Sequence, residues 1–132
     1  MGAEESKASL ARKFTRQCAV IARKDGRYSP DAYLFVFEGL EFTIRRLGRQ
    51  GHVTGRELSE GIRDHAIEQF GGLARMVLDR WGVRKTEDFG EIVFRLVVEG
   101  MMGKTDTDSI DDFRDVYDFA AAFPLTATPD EA

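Results

Sequence analysis

The chain of 132 residues has a net charge of −4, 42% hydrophobic residues and ten phenylalanines, which together fit a single globular domain and exclude a disordered chain. Its one cysteine, Cys18, excludes an intrachain disulfide and a multi-cysteine metal site. No apolar run is long enough to span a membrane, and the first residues lack the apolar segment of a secretory signal, so we expect a cytoplasmic protein.

Two helices are predicted in the first third of the chain. The first covers residues 8–23 and turns its apolar side chains to one face: Leu10, Phe14, Cys18 and Ile21. Asp25 and Gly26 then form a turn signal. Ser29 and Pro30 open the second helix, because proline suits the first helical position, and the pattern runs to about Leu47.

The second helix has apolar side chains on two opposite sides. Its predicted core stripe consists of Tyr33, Val36, Phe37, Leu40, Ile44 and Leu47. Phe35 and Phe42 stack two turns apart on the other side, Arg46 extends their line, and Arg45 and Arg49 lie nearby. Aromatic anchors with an arginine rim are typical of interfaces, so these five residues form the predicted partner-binding surface. Alternatively, the first or last helix of the same domain covers the two rings.

Residues 53–103 are predicted to form three consecutive helices. Thr54 and Glu57 have the spacing of a capping box at the start of the first, and Gly71 follows its end. Gly82 ends the second helix. Thr86 is the predicted N-cap of the third.

The third of these helices is apolar over most of its circumference. Its apolar residues are Phe89, Ile92, Val93, Phe94, Leu96, Val97 and Val98, and its polar strip is Asp88, Glu91, Arg95 and Glu99. This pattern predicts the central, most buried helix of the domain, with Phe94 in the core. The β-branched run also leaves a buried strand as an alternative, but its length and the Thr86 cap favour a helix.

The end of the chain allows two readings. A last helix capped by Ser109 would turn Phe113, Val116, Tyr117, Ala120 and Phe123 inward. Alternatively, residues 101–119 form the hairpin of a winged-helix-like unit. We predict an all-α or mostly α fold, with five to six helices in a single domain at 9–123, flanked by flexible ends at 1–8 and 124–132.

The chain resembles a family of small bacterial proteins of unknown function. The resemblance depends on the patterns RY-x4-AY-x-FV, VTG-x-EL-x-EGIR, QFG, WG and T-x-DFGEIVF-x-LV, and it covers residues 10–123. It implies a compact domain that stands alone. It implies no activity, ligand or catalytic residue.

Motifs for catalysis or cofactor binding are not found in the sequence. His52, His65 and Cys18 do not form a zinc pattern, the acidic run at 106–111 fails the ligand positions of a calcium loop, and no phosphate-binding glycine loop occurs. His65 is expected at the edge of the core, bonded to a backbone carbonyl. We therefore predict no enzyme, no cofactor, no metal site and no catalytic residue.

Nucleic-acid binding is also not expected. A recognition helix at 86–98 would present Asp88, Glu91 and Glu99 with only Arg95 as a cation, and such a face repels phosphates. If nucleic acid is bound, the basic first helix is the candidate. The sequence favours a non-enzymatic protein-interaction module, adaptor or regulator, that binds a protein partner or itself; a winged-helix-like nucleic-acid-associated protein is the alternative.

Overall fold

The computed structural model describes residues 3–48, 53–103 and 110–124, and within these ranges every regular element is helical. The helices are α1 (Ala3–Asp25), α2 (Pro30–Leu47), α3 (Gly55–Phe70), α4 (Ala74–Arg80), α5 (Thr86–Val98) and α6 (Phe119–Ala122), with 3₁₀ turns at Gly71–Leu73 and Ile110–Phe113. The prediction of an all-α single domain is confirmed. None of the helices in the described ranges has the length and apolar character to cross a bilayer.

Helix α2 lies at the centre of the domain, in contact with α1, α3 and α5. On the α1 side, the rings of Phe14 and Phe37 pack with their centroids 4.6 Å apart. On the α3 side, Phe35 stacks on His65. A helix with apolar side chains on two sides is therefore covered on both by the domain itself.

The approach between α2 and α3 is close because small residues meet there. Gly39 faces Ile62, and Gly61 faces Thr43, whose hydroxyl donates a 2.7 Å hydrogen bond to the Gly39 carbonyl. A Cβ atom added at Gly61 would lie 1.8 Å from the Thr43 hydroxyl oxygen. The side chain of Thr43 is fully buried, so no space for that atom exists without movement of a helix.

The helix termini follow the predicted signals in α2 and α3. The Ser29 hydroxyl accepts the amide of Asp31, and Thr54 and Glu57 form the predicted capping box with both hydrogen bonds at 3.0 Å. Gly71 ends α3 with φ of 55°, a left-handed value that glycine adopts readily.

Thr86 does not have the predicted N-cap role. Lys85 is the cap residue, and the Asp88 carboxylate accepts the amides of Arg84 and Lys85. The buried Thr86 hydroxyl instead donates to the Phe113 carbonyl at 2.7 Å and accepts the Val116 amide at 3.1 Å. It therefore fixes the chain after α5 onto the start of that helix.

Helix α5 is oriented differently from the prediction. Phe94 is 51% exposed and Val98 is 57% exposed, so the prediction of a helix buried all round is wrong. The inward face consists of Phe89, Ile92 and Leu96, and the polar strip lies half-buried beside it, against the end of α1 and the turn that follows. Every residue of the strip has a partner there: Asp88 with Tyr28, Glu91 with Arg27, Arg95 with Asp25, and Glu99 with Lys24.

In its described residues, the segment after α5 forms neither the predicted long helix nor a strand of the alternative hairpin. Residues 101–103 and 110–119 contain no strand, and the helix at Phe119–Ala122 has four residues. The predicted cap Ser109 lies outside the described residues. Phe113, Phe119 and Phe123 are nevertheless buried, because this segment folds back over α5 and closes the core.

Candidate interaction surface

Five aromatic rings meet where α2, α3 and α4 come together. Phe35 is their hub: its ring centroid lies 4.9 Å from that of His65, 5.5 Å from Phe70 and 5.4 Å from Trp81. Phe42 joins through His65, at 5.0 Å. The cluster is therefore continuous from the last third of α2 to the end of α4.

Phe35 is not available to a partner. It is only 5% exposed, so the prediction that Phe35 forms part of the partner-binding surface is wrong. The rings that cover it come from α3 and the end of α4, whereas the sequence suggested the first or last helix as a cover. The spacing correctly placed Phe35 and Phe42 on one line but could not show which element packs against that line.

Phe42 and Arg46 stay together at the edge of the cluster. Phe42 is partly buried, and the Arg46 guanidinium lies 5.3 Å from the centre of its ring. Arg46 also pairs with Asp64 on α3. Arg45 is exposed and pairs with no described carboxylate, and Arg49 lies outside the described residues. The structure thus brings two of the five predicted residues together at the surface.

Asp64 is held in its charged form. Burial alone would raise the pKa of this carboxyl, but hydrogen bonds from Arg63 and Arg46 outweigh that effect, and the pKa lies below its usual range. With hydrogen bonds from two guanidinium groups, the Asp64 carboxylate is deprotonated and negatively charged at neutral pH. Asp64 therefore positions Arg46.

The outer edge of the cluster is a partly exposed row of Phe42, His65, Phe70 and Trp81, which we call the aromatic surface. Of this row, the sequence places only Phe42 in the partner-binding surface. The helical spacing puts Phe70 on the core face of α3 and Trp81 on the inner arc of α4. Both are half-buried because each lies at a helix end, beside the exposed Gly71–Leu73 turn or the turn at Gly82.

His65 has an unusual environment for an imidazole. Its Nδ1 is buried and meets no hydrogen-bond partner among the described residues, so the predicted bond to a backbone carbonyl is not formed by this atom. The ring lies between Phe35 and Phe42 instead. Within the described ranges, no group of three His, Cys or acidic residues is close enough to hold a metal ion.

A polar cleft of about 370 Å³ lies on another side of the molecule, between the turn after α1 and the start of α5. Most of its charged groups already have partners: Arg27 pairs with Glu91, Tyr28 donates to Asp88, and Arg84 pairs with Asp79. Such a cleft offers few free groups to a ligand. The Cys18 thiol is not a nucleophile either, because it is 1% exposed and burial raises its pKa to about 11.

No protein-family model, no curated protein and no solved structure matches this chain. The resemblance drawn from the sequence motifs stays a prediction. The aromatic surface is therefore interpreted from its own geometry and chemistry.

Proposed function

We propose that the protein is a non-enzymatic protein-interaction module of the cytoplasm, and that the aromatic surface binds a protein partner. The observation that carries the proposal is the row of four partly exposed rings, three of which pack on the buried Phe35, while Phe42 packs on His65. Trp and other aromatic residues dominate the binding energy of many interfaces, because one side chain buries a large apolar area.

The rings pack against one another within the domain itself. Phe70 and Trp81 meet edge to face at 5.9 Å, and both rest on Phe35. A side chain that is already ordered loses little conformational entropy on binding, so more of the apolar burial contributes to affinity. An ordered aromatic row at a surface is therefore better suited to binding than the same rings on a mobile loop.

Arg46 adds a polar rim to the row. It is held over Phe42 and paired with Asp64, while its side chain is still 43% exposed. An arginine in this position can donate hydrogen bonds to a partner without first being ordered. The combination of apolar centre and arginine edge matches the anatomy of protein interfaces.

The test is a comparison of tagged proteins in pull-downs from cell lysate, followed by mass spectrometry. Phe42→Ser with Arg46→Glu alters one end of the aromatic surface and leaves the buried hub Phe35 in place. We expect this double variant to keep its circular dichroism spectrum and to lose at least nine-tenths of the partner that the unaltered protein retains.

A matched control carries the same chemical changes elsewhere. Phe94→Ser removes an exposed phenylalanine, and Arg56→Glu removes an arginine that, like Arg46, pairs with an acid on α3. This control should retain the partner. If both variants bind normally, or if only the control loses the partner, the aromatic surface is not the binding site. A doubled mass in light scattering that only Phe42→Ser with Arg46→Glu abolishes would identify the partner as a second copy of the chain.

A further inference from the structure

From Ser9 to Lys24, where the structure describes its side chains, helix α1 turns a cationic face to solvent. Between Ser9 and Lys24 the sequence contains five Lys or Arg residues and no Asp or Glu. The exposed face presents Arg12, Lys13, Arg16 and Arg23, and the opposite face buries the apolar residues against the domain. The cationic face is thus fixed in direction by the packing of the helix.

Among the residues whose side chains the structure describes, none of these four cations pairs with a carboxylate, whereas Lys24 on the same helix pairs with Glu99. Residues 1–27 have a net charge of +4. Because the net charge of the whole chain is −4, residues 28–132 carry a net charge of −8. The face is therefore the cationic region of an otherwise acidic protein.

An apolar side chain lies in the middle of this face. Val20 is 51% exposed, one helical turn from both Arg16 and Arg23. From Arg12 to Arg23 the face is about 17 Å long at 1.5 Å per residue. This length matches one short helix of a partner, whereas an extended polymer would reach beyond the face.

We infer that the outward face of α1 docks an acidic amphipathic helix of a protein partner, whose carboxylates pair with Arg12, Arg16 and Arg23 and whose apolar residue packs on Val20. Arginine forms two parallel hydrogen bonds to one carboxylate, which fixes the register of such a helix. The inference names a second surface, separate from the aromatic surface, since α1 and α3 cover different sides of α2.

Two observations favour a protein segment over nucleic acid. Val20 makes no favourable contact with phosphates but buries apolar area against a leucine or valine. A nucleic acid also extends past the 17 Å face, across a surface whose remaining charge is −8, where its phosphates are repelled. A lipid surface is disfavoured because Cys18, Ile21 and Ala22 face the core and cannot insert.

The probe is a labelled peptide of 20 residues, designed as a helix with glutamates spaced to meet the three arginines and one leucine to meet Val20. Its binding to the full chain is measured by fluorescence anisotropy in 150 mM salt, beside a 20-base-pair DNA duplex. Arg16→Glu with Arg23→Glu is expected to weaken peptide binding at least tenfold, and Val20→Ser about threefold.

Controls separate this surface from general charge effects. Arg45→Glu with Arg80→Glu makes the same change in net charge at two other exposed arginines in the last turns of helices and should retain the peptide within twofold. Phe42→Ser with Arg46→Glu should also retain it, so that failure here and failure of the aromatic surface are distinguishable. The inference is overturned if the peptide does not bind, if both charge reversals weaken it equally, or if the duplex binds more tightly than the peptide.

Discussion

The contact between α2 and α3 differs in kind from the contact of α5 with the end of α1 and the turn that follows it. The first brings two backbones close through Gly39 and Gly61, and Thr43 fills the remaining space. The second is a row of polar pairs that extends from Tyr28 and Asp88 to Lys24 and Glu99. One contact depends on shape, and the other depends on charge and hydrogen bonding.

The two contacts are therefore expected to respond differently to substitution. Close packing has no tolerance for added volume, because the cost of a clash rises steeply with overlap. The loss of one partly exposed polar pair costs less stability, because water replaces part of the lost interaction. Four substitutions test that contrast, with progressively smaller expected losses of stability.

Gly61→Ala should have the largest effect. The new Cβ overlaps the Thr43 hydroxyl, so α2 and α3 must separate, and we expect a loss of about 3 kcal/mol in the free energy of unfolding. Urea unfolding measures this loss. Gly103→Ala is the control, because a Cβ there meets no atom within 4 Å. A loss below 1 kcal/mol for Gly61→Ala would show that the two helices adjust freely.

Asp25→Ala removes the most buried carboxylate of the polar row. The side chain of Asp25 is 8% exposed and accepts hydrogen bonds from Tyr33 and Arg27, while Arg95 lies 3.5 Å away. Those donors lose their acceptor, which should cost about 2 kcal/mol. Asp25→Asn keeps an acceptor and should cost less. If both variants unfold at the urea midpoint of the unaltered protein, the polar row contributes nothing to stability.

Tyr28→Phe should have a smaller effect. Burial, with the hydrogen bond to Asp88, raises the pKa of the Tyr28 phenol, so the group is protonated and donates at any physiological pH. Asp88 keeps the amides of Arg84 and Lys85 after the change, so only one bond is lost, at about 1 kcal/mol. A larger loss, measured in the same unfolding experiment, would mean that Asp88 cannot hold the start of α5 alone.

Phe94→Ala should have the smallest effect. This ring lies on the exposed side of α5, away from the polar row, so its truncation should change the free energy of unfolding by about 0.5 kcal/mol or less. A loss of 3 kcal/mol would contradict the exposed position and return Phe94 to the core. The variant thus tests whether Phe94 is exposed, as in the structure, or buried, as the sequence pattern predicts.

The sequence predicted those parts of the fold that depend on local chemistry. The capping box of Thr54 and Glu57, the Ser29 and Pro30 start of α2 and the helix-ending Gly71 each involve residues a few positions apart. Their hydrogen bonds and dihedral angles follow from the residue types themselves. These features therefore require no knowledge of the tertiary structure.

Features that depend on which helices meet could not be predicted in the same way. The most buried line of α2 includes Gly39 and Thr43, which a search for apolar residues passes over. The apolar pattern predicts Phe94 in the core, but only Phe89, Ile92 and Leu96 face inward, and the polar strip takes the side next to α1 and the turn after it. Periodicity gives the faces of a helix and not their neighbours.

The same limit applies to the candidate surface. Phe35 and Phe42 were correctly placed on one line, and the cover of Phe35 by His65, Phe70 and Trp81 was not foreseen, because these rings are 30 to 46 residues away in the chain. Arg46 and Phe42 were found from spacing alone. Only the tertiary structure shows which rings reach the surface.

The double role of the Thr86 hydroxyl has a consequence for local opening. It holds the carbonyl of Phe113 and the amide of Val116, 27 and 30 residues away, and so fixes the segment 110–124 to the start of α5, while the Tyr117 hydroxyl ties the segment to the Ser59 carbonyl on α3. Detachment of that segment would break these bonds while α1, α2 and α3 stay folded, as one cooperative unit. The Val116 amide would then exchange its hydrogen with solvent sooner than amides in the middle of α2. Its exchange rate would report each detachment of the segment 110–124 from the core.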